Sequence, residues 1–143
     1  LRGTWKGEMT IRGTEVFRKY IEDGIVAVLR VFLPDRSEAD LRGAAASSIT
    51  MSVETHPFTL TLAKRQGVDG RYDFTMTGTT ISTGVAEDKD GVLTWNARAA
   101  DRSSADYRAM LAGAGTLDGT IAINAWGILP NAASSTLRAV RQK

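Results

Sequence analysis

Along several stretches of the chain, apolar and polar side chains alternate one for one, the spacing at which successive residues point to opposite faces of a β-strand. Trp5, Met9 and Ile11 alternate with Thr4, Lys6, Glu8 and Thr10. Ile49, Met51 and Val53 alternate with Ser48, Thr50, Ser52 and Glu54, and Phe58, Leu60 and Leu62 with Thr59 and Thr61. Tyr72, Phe74 and Met76 alternate with Arg71, Asp73, Thr75 and Thr77, and Leu93, Trp95 and Ala97 with Thr94, Asn96 and Arg98. One apolar face and one threonine-rich wet face is the pattern of antiparallel sheets; parallel sheets read as unbroken apolar runs.

Turn chemistry points the same way. Asp-Gly pairs stand at Asp23–Gly24, Asp69–Gly70, Asp90–Gly91 and Asp118–Gly119, and such pairs suit tight hairpins because glycine accepts a positive φ. His56–Pro57 reads as a further break, and the apolar parity switches around Gly78, which predicts a bulge or tight turn there. Two segments have helical features. Ser37, three residues before Asp40, opens a single-turn signature from Arg36 to Gly43. Ser103 to Gly113 admits a helix or a strand; Gly113 and Gly115 favour a strand running from Tyr107 to Leu117, paired through Asp118–Gly119 with Ile121 to Trp126. The sequence therefore predicts an all-β fold: one domain over residues 1–143, an antiparallel up-and-down β-barrel of roughly 8–10 strands with at most one or two short helices.

Ile25 to Leu33 breaks the pattern. Read as a strand, it has one apolar face of Ile25, Ala27, Leu29, Val31 and Leu33 and a second, nearly as apolar, of Val26, Val28 and Phe32. An antiparallel strand with a wet outer side should not look like this, and left bare it would aggregate. Either the chain's own Arg36 to Gly43 segment folds back over the second face or a second copy packs there. The segment carries only Leu41 as a sizeable apolar residue, so the expectation is a homodimer or other homo-oligomer with Val26, Val28 and Phe32 at a symmetric contact.

Several chemistries find no support. The chain has no cysteine and one histidine, so disulfides and thiolate sites are impossible and a zinc site is not expected. Glu87-Asp88-Lys89-Asp90-Gly91 looks like half a calcium loop, but the following residues read as strand and lack the closing acid. No glycine-rich phosphate loop opens a helix, so no cofactor is expected. With 18 basic and 16 acidic residues, and no basic stripe interleaved with aromatics, no nucleic-acid partner is expected. No run approaches the ~18 apolar residues of a membrane helix. Nothing in the sequence assigns a compartment.

Gly3-Thr4-Trp5 at the head of the first strand, with Arg138 and Arg141 on the last, resembles the lipocalin-like (calycin) arrangement, in which a basic side chain from the final strand packs over a Gly-x-Trp tryptophan. Arg138 is the first candidate for that role and Arg141 the alternative. The resemblance implies a barrel closed around a ligand cavity. Avidin-like barrels also begin with Gly-x-Trp, but their caging set is not recoverable here.

The leading functional expectation is binding of a small, largely apolar molecule inside the barrel, with Trp95, Trp126, Tyr72 and Phe74 as ligand-binding candidates. A barrel-scaffold enzyme of isomerase or cyclase type is one alternative, with Tyr20, Tyr72, Asp73 and His56 as candidates. A non-catalytic interaction module with a filled core is the other.

Overall fold

The computed structural model describes residues 1–78 and 80–143. Eight strands follow one another around a closed antiparallel barrel: β1 (Gly3–Gly13), β2 (Val53–Lys64), β3 (Arg71–Thr77), β4 (Ile81–Lys89), β5 (Val92–Arg98), β6 (Ser104–Leu111), β7 (Thr116–Ala125) and β8 (Leu129–Arg141). Each pairs with the next, and β8 returns to β1, with Trp5 opposite Arg141 and Gly13 opposite Ala133. Two helices, α1 (Glu15–Phe32) and α2 (Glu38–Ser48), stand between β1 and β2. The up-and-down barrel of the sequence reading is the fold.

The alternating apolar residues point inward. Trp5, Leu60, Leu62, Phe74, Leu93, Leu117 and Ala139 fill the half of the barrel where both chain termini lie. That end is sealed by the termini themselves. Trp5 Nε1 donates to the Leu1 carbonyl (3.0 Å), the Gln142 N–H donates to the Thr4 carbonyl (2.7 Å), and the Arg141 guanidinium lies 4.8 Å from the centre of the fully buried Trp5 ring. The basic residue over the tryptophan is thus Arg141. Arg138 instead points outward and pairs with Asp118 at 3.3 Å, because alternation along β8 places it on the opposite face.

Other readings are corrected. Ile25 to Leu33 is not a strand but the C-terminal half of α1. Phe17, Ile21, Ile25 and Leu29 recur every four residues along one side of this helix, a period that the run of valines masks. Val26 is buried against Leu41 and Ala45 of α2, so it does not belong to an open face; Val28, Val31 and Phe32 are exposed. Asp23–Gly24 lies inside α1 rather than at a turn. Arg42 ties the two helices together through Glu22 (3.1 Å) and Asp23 (2.8 Å). The α2 signature is real and longer than expected: Ser37 caps the helix by accepting the Asp40 N–H at 3.1 Å.

Ile49 to Ser52 precede β2 instead of belonging to it. His56–Pro57 lies within β2, in a part that pairs with β1 but extends beyond β3, where a missing N–H is tolerated. Ser104–Leu111 is strand, as the glycines suggested, but the turn after it falls at 112–115 and Asp118–Gly119 sits inside β7. Gly119 serves close approach rather than a turn: a Cβ there would stand 2.2 Å from the Arg108 carbonyl oxygen. The Asp69–Gly70 and Asp90–Gly91 turns stand where expected, and the Gly78 N–H donates to the Thr80 carbonyl (3.1 Å) between β3 and β4. The acidic run 87–91 is the tip of the β4–β5 hairpin, with Asp88 accepting the Gly91 N–H.

Candidate functional site

The end opposite Trp5 is open. Its rim consists of the β1–α1 junction, the segment before β2, and the β3–β4, β5–β6 and β7–β8 connections. Here cavities replace the packed core. One, of about 170 Å³, lies inside the barrel and is lined by Met9, Ile11, His56, Phe58, Met76, Tyr107, Ile121 and Ile123 among others. A second, of about 400 Å³, lies under α1 between Phe17, Ile21, Met51, Ala125 and Trp126 and also touches Ile11 and Ile123. A third, of about 150 Å³, opens between β4 and β5 beside Ser82, Ala97, Ala105, Tyr107 and Ile123. The three meet at Ile123, next to the irregularity in β7–β8 pairing at Ile123/Ala125.

The polar groups at this mouth are few. His56 Nε2 lies 3.0 Å from Glu54 Oε2, with the histidine on the smaller cavity and the glutamate on the larger. Asp101 also faces the larger cavity. It accepts the backbone N–H of Ser103 at 2.8 Å, and that bond holds its carboxyl below the usual carboxylate range. Burial pushes the Tyr107 hydroxyl above its ordinary pKa, so it stays protonated across the physiological range.

Trp126 has the least ordinary backbone of the site. It sits at φ +55 in the β7–β8 turn, followed by Gly127 at φ +72, a pair of left-handed residues in which a bulky side chain is costly. Its ring contacts Phe17 (6.1 Å between centroids) and Tyr20 (6.0 Å), and the Ser103 hydroxyl accepts its N–H at 3.1 Å. The strain is thus offset by an aromatic cluster that roofs the larger cavity. Trp126→Gly removes about 1–2 kcal/mol of backbone strain together with aromatic contacts of similar worth. Chemical denaturation of the variant is expected to give a stability within about 1 kcal/mol of wild type. A loss of several kcal/mol would mean that the turn is not strained.

The ligand-binding candidates are dispersed. Trp126 lines the larger mouth cavity. Phe74 and Trp95 are buried and lie 6.4 Å apart, with Trp95 stacked on Tyr107 at 4.9 Å. Tyr72 packs at the sealed half, and neither it nor Phe74 lines any of these cavities. Of the enzyme candidates, His56 reaches the mouth, Tyr20 stands on α1 against Trp126, and Tyr72 and Asp73 lie at the start of β3 toward the other end. Sequence reasoning missed Phe17, Ile21, Ile123 and Tyr107. For the first two, the four-residue spacing along α1 was the available signal; Tyr107 follows from the in-phase alternation of β6. Among the described residues, no three Asp, Glu or His side chains gather as a metal site, and no helix is long and apolar enough to cross a membrane. No protein-family model and no curated protein matches the chain.

Proposed function

We propose that the protein binds a small, largely apolar molecule in the open mouth of the barrel, in the manner of a lipocalin-like (calycin) barrel. The observation that carries this reading is the asymmetry of the interior. One half is packed solid beneath Trp5 and Arg141, while at the other three adjoining cavities meet at Ile123. Ligand sites are concave, mainly apolar and furnished with a few polar groups, and the larger cavity, at about 400 Å³, falls within their usual size range. The test is titration with an environment-sensitive apolar probe, followed by tryptophan emission and probe fluorescence. Saturable binding is expected, and Trp126→Ala weakens it more than a conservative change at the sealed end. Absence of saturation across fatty acids, retinoids and aromatic acids overturns the reading in favour of a filled-core interaction module.

The Glu54–His56 pair favours a second reading, a barrel-scaffold isomerase in which His56 moves a proton on a molecule held in the smaller cavity. In that case His56→Gln abolishes turnover while leaving binding intact.

The assembly belongs to the same proposal. Val28, Val31 and Phe32 remain an exposed apolar strip of α1, which a second copy of the chain would cover. Val28→Glu is then expected to convert a dimer to a monomer of unchanged fold in sedimentation equilibrium. A wild-type chain that is monomeric at high concentration rejects it.

A further inference from the structure

Alternation along β2 continues past the packed core. His56, Phe58, Leu60 and Leu62 face the interior, and Glu54 shares their parity, so the strand carries a carboxylate to the inner side of the rim. Its partner on β1 is Ile11, and both residues line the larger mouth cavity. Val53, one residue earlier, faces out and is 56% exposed. Asp101 reaches the same cavity from the β5–β6 connection.

These two carboxylates have no basic counterpart in the cavity. Its other lining residues are apolar or neutral, with no Lys, Arg or His among those described. Glu54 pairs with His56 and with no Lys or Arg, and Asp101 forms no ion pair among the described residues. The Ser103 N–H, rather than a neighbouring cation, holds the Asp101 carboxyl low. The cations nearby are engaged or turned elsewhere. Arg18 pairs with Glu15 and Glu22, Arg98 lines the third cavity, and the Arg102 side chain packs beside Gly127. An apolar chamber with two carboxylates at its mouth attracts a positive ligand group and repels a negative one. Trp126 adds to this preference. It lines the same cavity and remains 42% exposed despite its contacts with Phe17 and Tyr20, and an indole attracts an ammonium ion through its ring electrons.

We propose that the ligand of the larger cavity is a cationic amphiphile, with its apolar body under α1 and its ammonium group at the rim near Glu54, Asp101 and Trp126. This class rests on the binding reading above, which names only a small, largely apolar molecule.

The test compares three compounds that share one tail: decyltrimethylammonium, decanol and decanoate. Each is titrated into the intact chain at pH 8, below its micelle concentration, and followed by calorimetry and tryptophan emission. The ammonium is expected to bind about tenfold tighter than the alcohol, with the carboxylate weakest. Asp101→Asn and Glu54→Gln retain an oxygen and the shape of the side chain, and each should weaken the ammonium about threefold while leaving the alcohol unchanged. If the alcohol binds saturably but the ammonium binds no tighter, or both variants bind the ammonium as wild type does, the class is overturned while the mouth reading stands. Decanoate binding tightest would place the head group by Arg98 and overturn the class as well. If none of the three binds wild type, both readings fall. Should neither variant fold, salt decides on the wild type. Raising it from about 0.01 to 1 M shortens the Debye length from about 30 to 3 Å and should at least halve the advantage of the ammonium over the alcohol. A ratio that salt leaves unchanged overturns the class.

Discussion

Trp5→Ala is expected to lower stability by about 3–5 kcal/mol, the range for truncating a large buried aromatic. Trp5 has no exposed surface and its indole is held on two sides, by the Leu1 carbonyl and by the Arg141 guanidinium. The truncation therefore leaves a cavity and frees both chain ends. For a domain of this size the loss corresponds to a fall of roughly 10–20 °C in melting temperature. Arg141→Ala keeps the indole and removes only the cation, so it should cost about 0.5–1 kcal/mol. A Trp5→Ala variant melting within a degree or two of wild type would show that the sealed end does not hold the barrel closed.

The largest effect on binding is expected at Ile123. It borders all three mouth cavities, so Ile123→Trp places an indole where they join. Filling existing space should leave stability within about 1 kcal/mol, since overpacking is costly only where no room exists. Affinity for any apolar probe should fall about a hundredfold, equivalent to about 2.7 kcal/mol. Unchanged affinity in a folded variant would place the ligand elsewhere and remove the mouth from consideration.

Most of the barrel was readable in the sequence because period-two alternation is a local property, set by each strand's need for one dry face. The helical insertion was not. Ile25 to Leu33 is rich in β-branched residues and short enough that a buried helix and a two-faced strand leave the same trace. Asp23–Gly24 deepened the ambiguity by mimicking a turn inside α1. Asp118–Gly119 misled for a related reason: a glycine serves close backbone approach as well as turns, and only the neighbouring strand reveals which. The candidate site was less readable still. Its aromatic roof is assembled from α1 and the β7–β8 turn, which no local pattern brings together, and Trp126 is out of phase with the inward residues Leu117, Ile121 and Ile123 of β7, so alternation does not carry it into the barrel interior. The chain reverses at that residue.

The position of β1 has a kinetic consequence. Every hairpin from β2 to β8 joins neighbours in sequence, but β1 must find β2 across the whole helical insertion and β8 across nearly the whole chain. Contacts between distant residues carry a loop-closure cost before they yield any stabilisation, so they form late. The seven-stranded meander should then assemble first, with the outer edges of β2 and β8 unpaired until β1 docks between them. Such edges are templates for other chains. Refolding at high concentration should accordingly lose yield to aggregation during that interval, and variants that weaken the Trp5 end should lengthen it.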